Sequence, residues 1–408
     1  MILKTNIESA FKAQVENLQS REHLVGRRFL NSYKPTGNFV EVISGVRRCG
    51  KSTLLNQLML QAKKPIAYFN FEDSRIFGFD VEDFDKLDDV MGNKVKTYFF
   101  DEIQNVHRWE LFVRKLNDRG NKVYITGSNA SLLSKELGTR LTGRHIRHEL
   151  FPFSYTEFLD YVKAKPSDGS LEQFISLGGF PEYLNSLNKE VLQTLLRDIT
   201  LRDIAIRYGI KNSKSLMDVT LFLLSNVGKI FSYNSIQKTF SIGSANTVLN
   251  YLAWLEDAYI FFYLQRFSWS AKSSAINPRK VYAIDTGLVN ANSLKFTKDS
   301  GRLLENMVFL SLHQQHEKVF YWREKSECDF VVFEANVCQQ AIQVCDELHN
   351  DNKQRELKGL MEAMEFFELK EGLIITRKQN DVLKMNGYKI NLVAASDWLL
   401  SLNRKRKK

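Results

Sequence analysis

Eight consecutive residues near the start of the chain have the composition of an anion cradle: Gly45-Val46-Arg47-Arg48-Cys49-Gly50-Lys51-Ser52, with the spacing G-x-x-x-x-G-K-S and Thr53 directly after it. Two glycines let the backbone turn tightly enough for successive N–H groups to point at one anion. Lys51 is spaced to reach β- and γ-phosphates, and the Ser52 hydroxyl to enter a Mg²⁺ shell. An ordinary turn has no use for Lys-Ser at this offset, so the stretch implies ATP or another nucleoside triphosphate, with Mg²⁺, as the ligand.

A second group with chemistry to offer is Asp101-Glu102, which ends the apolar run Tyr98-Phe99-Phe100. Asp101 is suited to hold Mg²⁺, and Glu102 to polarise the water that attacks the γ-phosphate. Thr126-Gly127-Ser128-Asn129 supplies small polar groups for the same phosphate or water, although a polar turn would look the same. Arg144, and after it Arg140, are the candidates for a guanidinium delivered to a γ-phosphate, commonly that of a neighbouring subunit, which would imply a homo-oligomer.

These residues need a scaffold that brings them to one edge. Phe39–Ser44 reads as a buried strand before the glycine loop, and Thr53–Leu60 as a helix after it. Further strands are expected at Pro65–Phe71, Lys94–Phe100, Val123–Thr126 and His145–Leu150, with an amphipathic helix at Trp109–Arg119 between them. Strands alternating with helices predict a parallel sheet covered on both faces, whose ligands sit beyond the carboxyl ends of the strands.

Composition sets outer bounds. At 408 residues the chain is too long for one ordinary core, and 44% hydrophobic with 25% charged residues is the balance of a folded soluble protein. No apolar run is long enough to span a bilayer, and Met1–Asn6 lacks the pattern of a secretory signal. Four cysteines without framework spacing read as free thiols, so the expected location is the cytoplasm, away from membranes. The net charge of +10 leans towards polyanionic partners, but half of it lies in the terminal run Arg404–Lys408.

Taken together, Gly45–Thr53, Asp101-Glu102-Ile103-Gln104, Trp109-Glu110, Thr126–Asn129 and Leu141–Arg144 resemble a large family of bacterial and archaeal AAA+-type P-loop ATPases. Pro152-Phe153-Ser154, Glu157-Phe158, Gly178-Gly179-Phe180-Pro181-Glu182 and Asp203-Ile204 with Arg207 extend the likeness through the chain. The resemblance implies a Walker A loop at 45–53, a Walker B pair at Asp101 and Glu102, and sensor 1 at Ser128/Asn129. The fold class it implies is α/β: a P-loop NTPase parallel sheet followed by a helical lid, a winged helix and a small restriction-endonuclease-like domain.

The boundaries expected are 1–152 for the ATPase core, 153–210 for the lid, 211–292 for the winged helix, 293–403 for the last domain and 404–408 for a basic tail. In the third block Ser232–Phe240, a glycine turn and Ser244–Glu256 fit a helix-turn-helix, with Ser244, Asn246, Thr247 and Asn250 near base-reading positions. Residues 211–295 hold nine Lys/Arg against four Asp/Glu, and a wing carrying Lys272, Arg279 and Lys280 is the expected DNA contact, although the second helix lacks Lys and Arg. In the last block Glu305, Asp329 and Gln343-Val344-Cys345 are similar to a P-D-(D/E)-x-K nuclease core in which Gln and Cys replace Glu and Lys. Only Lys353 or Lys358 is then at hand to supply the missing ammonium, so cleavage is not expected. The function these features imply is a Mg²⁺-dependent, ATP-hydrolysing switch or motor acting with DNA. The alternative is an ATP-gated DNA- or protein-binding regulator with little turnover, and a nuclease stands third.

Overall fold

The computed structural model describes residues 1–19, 25–92, 94–130, 141, 143–293 and 300–405. They form two compact units, one of residues 1–152 with 257–259, the other of the remaining chain. Arg140, the second arginine candidate, lies outside the described residues.

The first unit opens with the helices α1 (Lys4–Gln19) and α2 (Phe29–Ser32). Then come β1 (Val40–Ser44), α3 (Lys51–Gln61), β2 (Ile66–Asn70), α4 (Phe84–Met91), β3 (Thr97–Asp101), α5 (Trp109–Asp118), β4 (Lys122–Gly127) and β5 (His145–Glu149). The strands make one parallel sheet in the order β2-β3-β4-β1-β5. Every residue of β1 is buried, as a central strand covered on both faces requires. Phe71, Phe84, Phe100 and Phe112 pack the core beside β3, and the Phe84 and Phe112 rings stack at 4.3 Å. Because the strands are parallel, the turns after β1, β3 and β4 all leave from one edge. That edge carries Gly45–Ser52, Asp101-Glu102 and Ser128-Asn129.

In the second unit, helices Tyr155–Val162 and Asp168–Leu177 start at Ser154 and Ser167, each closing a capping box. Between the second of these and Pro181–Ser186, Gly178 and Gly179 admit the Asp285 carboxylate, which accepts the Gly179 N–H at 2.6 Å. A Cβ at Gly178 would lie 2.2 Å from that carboxylate, which is why this glycine cannot grow a side chain. Helices Ser213–Ser225, Tyr233–Thr239 and Ala245–Asp257 accompany a three-stranded antiparallel sheet of β6 (Ile230–Phe231), β7 (Phe261–Gln265) and β8 (Arg279–Ala283), ordered β6-β8-β7.

After helix Ser300–His313 comes a six-stranded sheet: β9 (Lys318–Arg323), β10 (Glu327–Glu334), β11 (Val337–Val344), β12 (Glu371–Thr376), β13 (Asp381–Met385) and β14 (Tyr388–Ala394), ordered β13-β14-β12-β11-β10-β9. The β13–β14 hairpin was missing from the sequence reading. Its first strand is largely exposed, so burial leaves little imprint on its pattern, but Asn386-Gly387, both at positive φ, is a hairpin signal in plain view.

The wing expectation needs correcting. Residues 271–276, expected as loop, form a short helix, and Lys280 is not a solvent-facing cation: it lies in β8 at 1% exposure. Its ammonium is taken up inside the unit by three carboxylates, so it cannot touch DNA.

Candidate functional site

The site is built where β1, β3 and β4 end. Past Ser44 the chain turns through Arg48 (φ 64°) and Gly50 (φ 101°) and enters α3 at Lys51. No side chain caps this helix start, so its first-turn N–H groups face the concavity of the loop. At Gly45 a Cβ would stand 2.1 Å from the Leu150 carbonyl oxygen, so only glycine lets the residue that follows β5 close on the loop. These are the features a phosphate cradle needs, and the residues present fit a triphosphate.

Lys51 is buried, with Nζ donating to the Gly45 and Val46 carbonyls at 3.2 Å each and lying 3.3 Å from Glu102 Oε1. Burial pushes its pKa down, but Glu102, with Cys49 and Asp101 beside it, outweighs burial, and the ammonium is held above its ordinary value. Glu102 is the converse: burial raises it, Lys51 together with Gln104 and Arg47 outweighs burial, and the carboxyl sits below its usual range. Glu102 has a left-handed backbone (φ 51°), which turns its side chain back towards the loop. Gln104 Nε2 donates to the other oxygen of Glu102 and reaches Ser128 Oγ at 3.3 Å.

Asp101 is wholly buried, and burial followed by the Glu102 charge pushes its carboxyl up. Tyr68 donates to Oδ2 at 3.1 Å, Thr126 donates to Oδ1, and the Ser52 hydroxyl also hydrogen-bonds the carboxylate. Ser52 and Asp101 therefore meet, as two ligands of one Mg²⁺ must; phosphate and water would complete that shell. Thr126 also accepts the Glu102 N–H at 3.0 Å, so one hydroxyl fixes both acidic residues.

Two relatives align along most of the chain. An uncharacterized protein of Methanocaldococcus jannaschii is 36% identical over 395 residues, covering 90% of this chain and 86% of its own length. An uncharacterized protein of Haemophilus influenzae is 32% identical over 408 residues, covering 93% and 98%. The chain belongs to the family of these two proteins. Within it, residues 38–159 match the AAA domain model, and residues 168–299 match a domain of unknown function, DUF8612. The AAA match takes in the glycine loop and the carboxyl ends of β1, β3 and β4. Among solved structures, Aeropyrum pernix ORC1 in complex with DNA is similar at 12% identity and a TM-score of 0.28, covering 70% of this chain and 91% of its own. Cdc6p of Pyrobaculum aerophilum is similar at 13% and 0.27, covering 65% and 92%. Likeness at that level fixes no function.

In this family member the sheet edge brings together Lys51, Ser52, Asp101, Glu102 and Ser128, and buries Asn129 close after β4. Arg144 is elsewhere. Its carbonyl accepts the N–H of Val40, the first residue of β1, so it sits at the opposite end of the sheet from the glycine loop, roughly 16 Å away by strand rise. Its guanidinium is exposed and pairs with Asp118 at 3.0 Å. Arg144 therefore cannot serve the site of its own chain.

Two residues of the site, Tyr68 and Arg27, have no signal in the sequence, and Thr126, expected at the phosphate or water, instead holds Asp101 together with Tyr68. Arg27 is buried behind the loop, donating to the Cys49 carbonyl at 2.9 Å and the Phe151 carbonyl at 2.7 Å. No local pattern marks Arg27, since its partners lie 22 and 124 residues away; Tyr68 shares the alternation of its strand with ordinary core residues.

Proposed function

We propose that the chain is a Mg²⁺-dependent ATPase of AAA+ type. The observation that carries this reading is the convergence of Lys51, Ser52, Asp101 and Glu102 beside an uncapped helix start. Lys51 would leave the Gly45 and Val46 carbonyls and Glu102 for the β/γ-phosphates. Ser52 and Asp101 would hold Mg²⁺, which when bound neutralises phosphate charge. Glu102, released from Lys51, would orient the attacking water, with Ser128 and Asn129 completing the polar wall. An arginine finger from Arg144 would have to act in a neighbouring copy, which makes assembly a condition for turnover.

The pairing of Lys51 with Glu102 also favours low basal turnover, since the water-orienting carboxylate is engaged until nucleotide draws the lysine off. This supports the reading of a nucleotide-gated switch. The order helix, strand, helix, helix, and then two antiparallel strands with a short helix between them over 213–283 supports the winged-helix reading, and it is the element we assign to DNA. On helix Ala245–Asp257, Asn246 and Asn250 are exposed, whereas the Ser244 hydroxyl caps the helix through Thr247 N–H at 3.1 Å. With Lys280 withdrawn, few exposed cations remain in this block, Lys214, Lys238 and Lys272 among them, so the affinity expected is modest.

The test is ATP turnover with and without duplex DNA, beside nucleotide binding by calorimetry. Lys51→Ala should weaken binding severely and abolish turnover. Stimulation by DNA supports a motor or switch. DNA affinity that follows nucleotide without turnover supports a gated regulator, and wild-type protein that takes up no nucleotide overturns both.

A further inference from the structure

The carboxylates of the nuclease-like block do come together, but around a cation the chain supplies. Lys280 Nζ lies 2.9 Å from Glu305 Oε1, 2.9 Å from Glu327 Oε1 and 2.8 Å from Asp329 Oδ1. An ammonium has three N–H donors, and each meets one of these carboxylates. Two of these carboxylates take further donors. Tyr282 donates to Glu305 Oε1 at 2.6 Å, and the Val344 N–H to Asp329 Oδ2 at 3.0 Å. Gln343, in the place of the expected Glu, turns its Oε1 to the Asp329 N–H at 3.2 Å and its Nε2 to Glu356 at 2.8 Å, so its oxygen is not offered to a metal. Lys353 and Lys358, expected to reach in from helix Asn350–Phe366, do not fill the gap: Glu356 is the residue that faces inward, and Lys358 is exposed.

We propose that Lys280 is the resident cation of this carboxylate cluster, standing where a divalent metal would otherwise bind, and that the C-terminal α/β block works as a metal-independent anchor for the three-stranded sheet. Two observations beyond the cluster support it. Lys280 and Tyr282 alternate along β8, so one face of the strand delivers both to Glu305. The next residue on the helix, Asn306, pairs with the backbone of Ala283 in both directions, at 2.8 and 3.0 Å. The strand is thereby tied to helix Ser300–His313 by a run of polar bonds, from Lys280 and Tyr282 to Glu305 and between Ala283 and Asn306. Mg²⁺ would need oxygens at about 2.1 Å around a centre that Nζ already fills.

The experiment uses full-length, nucleotide-free protein. Mn²⁺ titration by calorimetry should give the same isotherm for wild type and for Glu305→Gln with Asp329→Asn, and EDTA should leave the wild-type Tm unmoved. Lys280→Ala should lower Tm by on the order of 10 °C and gain one Mn²⁺ equivalent, with Mn²⁺ restoring part of the Tm. Should Lys280→Ala fail to fold, Lys280→Met combined with Glu305→Gln and Asp329→Asn removes the ammonium with its two most buried carboxylates, leaving the half-exposed Glu327, and is expected to fold. A wild-type Mn²⁺ site that disappears in the Glu305→Gln/Asp329→Asn protein would overturn the proposal. So would Mn²⁺-dependent nicking of plasmid by wild type that this double variant lacks, or an unchanged Tm in Lys280→Ala.

Discussion

Glu102→Gln separates the two tasks assigned to this carboxylate. As the residue that orients water, its loss should lower turnover by roughly 10²–10⁴. As the partner of Lys51, its loss should make nucleotide bind more tightly, because the phosphates no longer compete for the ammonium. The gross attraction across the 3.3 Å separation is about 5 kcal/mol at an effective dielectric of about 20. Most of that is retained when nucleotide binds, since Glu102 stays nearby and Lys51 exchanges one anion for another. A net competition of about 1–1.5 kcal/mol, or roughly a tenfold lower Kd for ATP, is the expected size.

Calorimetry without Mg²⁺ isolates the term, because the metal's own demand on Asp101 is then absent. Simple repulsion between Glu102 and the triphosphate would also tighten binding on neutralisation. Repeating the substitution in a Lys51→Ala background, at the weak affinity left there, distinguishes the two: competition predicts that the gain vanishes, repulsion that it persists. An ATP Kd in Glu102→Gln equal to or weaker than wild type would refute the view that nucleotide must displace Glu102 from the lysine.

Two further expectations concern the second unit. Burial raises Asp285 from its ordinary value to about 6. The folded state thus holds a proton that the unfolded chain releases, and stability falls as pH rises from about 4 to about 6, with the loss then fully present above pH 6. In Asp285→Asn this share of the slope should be missing from denaturant titrations, and the difference from wild type isolates it from the similar fall that Glu305, raised to about 7, adds up to neutral pH. Gly287 lies in helix Thr286–Asn292, where helix propensity alone would credit alanine with about 1 kcal/mol. Its Cβ would stand 2.0 Å from the Leu177 carbonyl oxygen, so Gly287→Ala should instead cost about 1–3 kcal/mol, read as a fall in Tm.

The phosphate loop was legible because its chemistry is local. Eight adjacent residues carry the turn, the cation and the hydroxyl, and the apolar runs on either side carry the strand and helix that position them. Asp101-Glu102 was legible at one remove, since a parallel sheet sends every strand's carboxyl end to the same edge. What lay hidden depends on pairings across the chain. The need for Gly178 and Gly179 appears only once Asp285, more than a hundred residues on, is seen to fill the space beside them. Lys280 is the sharpest case. Within Arg279-Lys280-Val281-Tyr282-Ala283 a lysine beside a tyrosine two residues on suits an exposed wing and a buried polar face equally well. Its partners, 25, 47 and 49 residues further along, decide between them. Three carboxylates crowded together would destabilise the fold without a cation, and an ammonium at 1% exposure would do so without carboxylates. Neither half is stable alone, so once the fold places Glu305, Glu327 and Asp329 together, the one lysine on the facing strand is drawn out of solvent and away from any nucleic acid.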